Sequence, residues 1–240
     1  MPASIVLLSA GLDSAVNFKL ALDKGTVPLA LTFDYGHRAA RREAHFAGQM
    51  CERLGVKHQM LPLKWLGAIT RTALVGKRRA LPHPNEADLE SAMAKRTAAQ
   101  VWVPNRNGVF LAAAAAFAEA LGADQVVAGF NAEEAETFPD NSPEFVMAFN
   151  KTLRFSTRTR VKVKSYTASL RKAAIVKKGL RIGAPLELVW CCYDGGRRLC
   201  GRCESCMRFR RAIRNARCET WFKEHHVNMP LRTISKRKRG

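Results

Sequence analysis

Two sets of residues in this chain have types and spacing suited to chemistry. The first is Leu8-Ser9-Ala10-Gly11-Leu12-Asp13-Ser14, close to the N-terminus. Ser9 and Ser14 offer hydroxyl donors, and Ala10 and Gly11 are small enough for a phosphate to reach the backbone. Where a helix starts at such a loop, its first N–H groups lack partners inside the helix and its dipole favours negative charge. Asp13 would repel a phosphate in direct contact, so it points to a bridging metal ion or a charge-tuned nucleotide. The spacing fits neither the Walker loop nor the dinucleotide fingerprint. The second set is Cys192, Cys200, Cys203 and Cys206, separated by seven, two and two residues. Gly195, Gly196 and Gly201 supply tight turns between them. Four thiolates with no open coordination position suit a structural zinc ion, with an iron–sulfur cluster as the competing occupant. Cys191 is an adjacent alternative to Cys192. Cys51 and Cys218 read as buried, inert thiols.

The elements that must position these residues follow from hydrophobic pattern. Ser4 to Leu8 is an apolar run of strand type, and Ala15 to Lys24 has helical period. Val27 to Phe33 reads as a second buried strand, ended by Asp34-Tyr35-Gly36-His37-Arg38. Ligands of open parallel sheets bind beyond the carboxyl ends of strands. This strand end is therefore expected beside the first loop, facing an adenosine. A helix over residues 41–54 stops at Gly55, and residues 56–63 form a third strand. Residues 65–96 read as a long loop, a lid or insertion. An Ala-rich helix over 109–121 leads to a strand at 125–129. The acidic cluster Glu133 to Glu136 reads as an exposed loop, and Asp140 beyond it is placed to cap a helix over 143–153. A strand at 159–163 and a helix at 170–181 follow. The alternation predicts an α/β fold with a doubly wound, mostly parallel sheet. Residues 1–186 form the expected nucleotide domain, 187–217 a zinc-binding segment packed on it, and 218–240 a basic tail.

The formal charge is +20, and it is one-sided. Residues 1–144 hold 15 Lys and Arg against 15 Asp and Glu, and residues 145–240 hold 25 against 5. No acidic side chain occurs between Phe145 and Leu186. Such a field attracts polyanions and acidic proteins. The clustering of five of the seven cysteines between Cys191 and Cys206 argues against a secreted disulfide framework. No apolar run reaches membrane-spanning length, so a cytoplasmic protein without membrane contact is expected.

The loop resembles the Ser-Gly-Gly-x-Asp-Ser loop of N-type ATP pyrophosphatases, with Ala10 for the first Gly. The wider pattern resembles the QueC family of 7-cyano-7-deazaguanine synthases. The matching pieces run in order: Ser9 to Ser14, Thr32 to Arg38, Val103-Pro104-Asn105-Arg106-Asn107, Phe138-Pro139-Asp140, Leu188 to Gly195, and the cysteine knuckle. Tyr193-Asp194-Gly195 after Cys192 makes Cys192 the fourth ligand. The resemblance implies a Rossmann-like fold of the adenine nucleotide α-hydrolase type. It implies Mg2+ with ATP, a structural Zn2+, a 7-carboxy-7-deazaguanine-like substrate, ammonia and a homodimer. Leu8 to Ser14, Asp34, Tyr35 and Arg38 would bind ATP. Asp13, Arg106 and Lys172 would act in catalysis, although Lys172 also sits close to a solvated helix face. Arg106 and Asp140 would hold the substrate, Asp140 on its guanine-like edge.

The chain departs from the family pattern at Ala10, at His37 for Gln, at Ser165-Tyr166-Thr167 for a Pro-Leu turn, at Arg171 and at Asn141. The same residues leave two other functions open. One is transfer of the activated carboxylate to an amine on a macromolecule. The other is nucleic-acid binding or transfer-RNA modification, with the basic half on the polyanion. Arg197, Arg198, Arg202, Arg208, Arg210, Arg211, Arg214 and Arg217 around the knuckle would then carry the phosphate contacts.

Overall fold

The computed structural model describes residues 1–76, 79–90 and 92–228. Its strands are β1 (Ala3–Leu7), β2 (Thr26–Asp34), β3 (His58–Pro62), β4 (Gln125–Val127) and β5 (Lys162–Lys164). Its helices are α1 (Leu12–Lys24), α2 (Ala40–Leu54), α3 (Lys64–Ile69), α4 (Ala92–Val101) and α5 (Arg106–Ala120). They continue with α6 (Ala132–Ala135), α7 (Pro143–Ser156), α8 (Lys172–Arg181), α9 (Glu204–Ala216) and α10 (Glu219–His225). The strands form one sheet in the order β3-β2-β1-β4-β5, and every pairing is parallel. This is the doubly wound order, whose direction of winding reverses between β1 and β4.

Successive side chains of β1 point to opposite faces, and both faces are covered. Val6 packs with Phe18, Met50, Ile175 and Ile213 from α1, α2, α8 and α9. Ile5 packs on the other side with Leu111, Ala115 and Ala118 from α5 and with Leu153 from α7. This is why the central strands read as continuous apolar runs. The Ala run of α5 lets that helix lie close against the sheet. The edge strand β5 is closed by a side chain: Asn150 of α7 donates to Val163 O at 3.0 Å and accepts from Val163 N at 2.7 Å. That blocks pairing with another strand.

Two expectations change. Residues 65–96 hold α3, a 3-10 turn at Glu86–Glu90 and the start of α4. These are pieces too short to show a full apolar stripe. Asp140 does not cap α7. Ser142 does, accepting from Phe145 N at 3.1 Å, while Asp140 lies in a 3-10 turn. Residues Lys77, Arg78 and the tail from Met229 lie outside the described residues. Among the described residues no helix is long and apolar enough to cross a membrane.

The chain after the cysteines returns to the core. Phe222 of α10 is fully buried, and His226 Nε2–H donates to Val189 O at 2.9 Å while Nδ1 accepts from Asn228 N. Burial lowers the imidazole from 6.5 to about 4, against the opposing pull of the Val189 carbonyl. Protons therefore bind the unfolded chain first as pH falls. The stabilisation is full above pH 6.5 and is lost toward pH 4. At about 1.4 kcal/mol per pKa unit, His226 is expected to account for a loss of about 2 kcal/mol between pH 7 and pH 5. Urea unfolding of His226→Phe should show a pH dependence flatter by that amount.

Candidate active site

Strand β1 ends in the loop before α1. Leu8 N donates to Leu31 O at 2.8 Å, fixing the loop to β2. Ala10 has φ +57°, a left-handed backbone that Gly adopts freely, which explains the Gly of the pyrophosphatase loop. Here the methyl is fully buried. Gly11 is the N-cap of α1, extended and without a side-chain cap. Leu12, Asp13 and Ser14 thus bring uncapped first-turn N–H groups to the wall of a cavity. Ser14 Oγ donates to Gly11 O at 3.0 Å and lies 3.3 Å from Ser9 Oγ.

The cavity sits at the switch point, between the carboxyl ends of β1 and β4. Leu7, Ser9 and Gly11 line one side, and Ala128 and Gly129 line the other. Gly129 touches the first turn of α1 so closely that a Cβ would stand 2.6 Å from Ser14 N. Gly129→Ala must displace that turn. A shift near 1 Å in a positioning element costs about a hundredfold in rate. Steady-state assays of the variant should show a loss of that order in kcat/KM.

Lys172 begins α8 and is buried, not on a solvated face. Its Nζ lies 2.7 Å from Asp13 Oδ2 and 2.7 Å from Glu134 Oε1. Burial disfavours the ammonium, but the two carboxylates outweigh it and hold Lys172 above its ordinary pKa. Glu134 falls below its own, since Lys172 overcomes the effect of burial. Asp13 is shifted up, by burial and then by Glu134 and Glu133, against Lys172. Its Oδ1 is buried without a hydrogen-bond partner. Glu133 sits behind the trio, accepting from Lys172 N at 2.9 Å and Arg211 Nη2 at 3.0 Å. Glu133 and Glu134 are therefore not part of an exposed loop, while Glu136 stays at the surface. Glu134, the residue missed from the sequence as a site group, is identified by its place one turn inside an Asn131-capped helix. Its partner lies 38 residues further along.

Arg106, at the N-terminus of α5, lies on the same cavity with Asn107, Phe110, Tyr35, Asn141 and Tyr193. Its Nη1 is 3.4 Å from Tyr35 Oη. Phe33 and Phe110 stack at 4.2 Å, so this half offers flat apolar walls. Burial raises the phenol pKa of Tyr35, with Arg106 opposing. The structure brings Leu8, Ser9, Gly11, Leu12, Asp13, Ser14, Tyr35, Arg106 and Lys172 to one cavity. Other expected site residues stand back from it. Asp34 Oδ1 accepts from Gly36 N. Arg38 donates to the carbonyls of Gly76 and Arg79. Asp140 flanks the cavity through Asn141 and Asn107, its carboxyl pKa raised by burial against Arg106.

Cys192, Cys200, Cys203 and Cys206 place their sulfurs within 4.8 Å of one another, with Cys200 and Cys206 at 3.9 Å. Zn–S bonds of about 2.3 Å in a tetrahedron put sulfurs about 3.8 Å apart, so the four can hold a metal ion. Cys200 N and Cys203 N donate to Cys192 Sγ and Cys200 Sγ, each at 3.3 Å. Cys51 is buried, and burial pushes its thiol up to about 12. The segment before the cluster is joined to the loop. Trp190 is almost fully buried. Its N donates to Ala10 O at 2.8 Å and its Nε1 to Cys192 O at 3.0 Å. Gly195, at φ +69°, would place a Cβ 2.1 Å from Arg38 O. Of the arginines around the knuckle, Arg208 pairs with Glu204, Arg211 with Glu133 and Arg214 with Glu86. These three serve internal contacts.

Residues 3–217 match the family described as "Queuosine biosynthesis protein QueC". A 7-cyano-7-deazaguanine synthase of Pelotomaculum thermopropionicum is 53% identical over 214 residues, 89% of this chain and 97% of that protein. One from Desulforamulus reducens is 51% identical, covering 88% and 92% of the two chains. One from the archaeon Methanosarcina mazei is 44% identical, covering 88% and 94%. The cavity at the β1–β4 switch point, the cysteine cluster behind it and these matches along most of the sequence agree that the chain belongs to the QueC family.

Proposed function

We propose that the chain is an ATP-dependent ligase that turns 7-carboxy-7-deazaguanine and ammonia into 7-cyano-7-deazaguanine through the amide. The observation that carries this reading is Lys172 held beside Asp13 at the uncapped N-terminus of α1, in one cavity with Arg106 and the flat walls of Phe33 and Phe110. The names of the relatives supply the substrate class.

The α1 N–H groups, Ser9 and Ser14 receive the pyrophosphate end of ATP. Arg106 draws the substrate carboxylate inward while the aromatic walls accept its planar ring. One carboxylate oxygen attacks the α-phosphorus and pyrophosphate leaves, giving an acyl adenylate. Lys172, fixed by two carboxylates, supplies positive charge where the phosphoryl oxygens gather it. Ammonia displaces AMP to give the amide. In a second round the amide oxygen attacks the α-phosphorus and pyrophosphate leaves, and loss of AMP and of both amide protons gives the nitrile. No side chain needs to act as nucleophile. The unpartnered Oδ1 of Asp13 fits a role as Mg2+ ligand. Bound Mg2+ would neutralise phosphate charge. The cysteine cluster fits Zn2+ in a structural role, because four thiolates leave no open position.

The test is incubation of the protein with Mg-ATP, ammonium and 7-carboxy-7-deazaguanine, with products read by mass spectrometry and Asp13→Ala as control. Nitrile and AMP are the expected products, both lost in the variant. Amide as the final product would replace the nitrile synthase with an amide ligase. No AMP release would overturn the adenylation chemistry.

A further inference from the structure

The excess charge has a location on the fold. Lys151 and Arg154 of α7, Arg158 and Arg160 of the turn that follows, and Lys162 and Lys164 of β5 are all exposed. None has an acidic side chain within ion-pair distance among the described residues. They are contiguous, because Asn150 binds α7 to β5. Unlike Arg208, Arg211 and Arg214 of α9, which pair with acids, these like charges repel one another. Two acids border the patch: Glu119 accepts from the backbone N–H groups of Arg158 and Thr159, and the Asp124 carboxylate accepts from Ala3 N.

Among them stands Phe155, 85% exposed, with Met147 two turns back on the same stripe of α7 at 65%. A large ring in water between cations is the arrangement that single-stranded nucleic acids use. Cations follow the backbone and an aromatic face stacks a base. An acidic protein would gain from the charges but has no specific use for a bare ring. Exposed hydroxyls at Thr152, Ser156 and Thr159 lie between the cations and can bond a ribose 2′-OH, which favours RNA over DNA. Arg158, Arg160 and Lys162 lie where β5 begins, at the end of the sheet opposite the cavity mouth, whereas Lys164 ends the strand, its carbonyl accepting from Ala128 N.

We propose that the α7–β5 edge is a binding surface for RNA with an unpaired stretch, separate from the catalytic cavity and independent of its reaction. The experiment uses the full chain and a fluorescein-labelled single-stranded RNA of mixed sequence, followed by polarisation across a salt series. Binding should weaken steeply with salt, with a log–log slope of about −0.7 per phosphate contact. The combined variant Lys151→Glu, Arg154→Glu and Arg158→Glu should bind at least about tenfold more weakly and with a slope flatter by about 2. Phe155→Ala should weaken binding about tenfold at unchanged slope. AMP release by both variants should equal that of the parent, which separates this surface from the cavity. Unchanged RNA affinity in the triple variant would overturn the assignment. So would equal binding of poly-glutamate with no effect of Phe155→Ala, which would make the partner an acidic protein. Equal affinity for DNA of the same sequence would overturn the preference for RNA.

Discussion

Replacing Lys172 with Met is expected to cut kcat/KM for AMP release about a thousandfold. Removal of one preorganised charge donor from a developing oxyanion costs about 10²–10³ in rate, and Lys172 is buried at the meeting point of loop and acids. The same change leaves Asp13 and Glu134 facing each other without their cation. Breaking a buried pair costs about 3–5 kcal/mol. The two carboxylates then answer by binding a proton, so their folded pKa values rise above the unfolded ones. The sign follows. Stability of Lys172→Met should be greater near pH 5 and fall as pH rises toward 8. Lys172→Arg keeps the charge but cannot place one nitrogen 2.7 Å from both oxygens, and it should not restore the rate. Unfolding midpoints measured at the two pH values, beside turnover, separate the catalytic loss from the structural one.

Emptying the cysteine cluster of the zinc proposed for it is expected to have the second large effect. Cys203 is fully buried, and its segment reaches the loop between β1 and α1 through Trp190 and Ala10 O. Structural zinc contributes about 10–16 kcal/mol in small zinc modules. Only part of that need be lost here for the segment to leave the core. A loss of about 5 kcal/mol lowers Tm by about 10–20 °C in a chain of this size. Cys203→Ser, or prolonged chelation, should therefore lower Tm by at least about 10 °C and abolish AMP release together. Zinc bound at one ion per chain should restore both to the chelated protein. A chelated protein with parental Tm and full turnover would contradict the structural role.

Most of the fold could be read from the chain because a parallel sheet buried on both faces leaves unbroken apolar runs. Val27 to Phe33 is such a run, and β2 includes all of it. The loop and the cysteines were legible because small residues, hydroxyls and thiols at short spacing have few other uses. The parts that were not legible depend on distance in sequence. Glu134 looks like one acid in an exposed cluster until α8 brings Lys172 against it. Lys172 looks solvated until α6 covers it. Arg211 and Arg214 look like a basic surface until Glu133 and Glu86 fold onto them. Asp140 precedes α7 as a cap would, but Ser142 is nearer and its hydroxyl reaches Phe145 N. The link from Trp190 to Ala10 has no sequence signal, because a backbone bond between distant segments depends on no side-chain type.

The measurement that bears most directly on the central claim follows the substrate's own oxygens. 7-Carboxy-7-deazaguanine labelled with 18O at both carboxylate positions is converted with unlabelled Mg-ATP and ammonium, and the AMP is analysed by mass spectrometry. If the cavity activates the carboxylate and then the amide by adenylation, each nitrile is accompanied by two AMP, and each AMP carries one 18O. Label in water or in pyrophosphate, with none in AMP, would contradict attack of a substrate oxygen on the α-phosphorus beside Asp13 and Lys172.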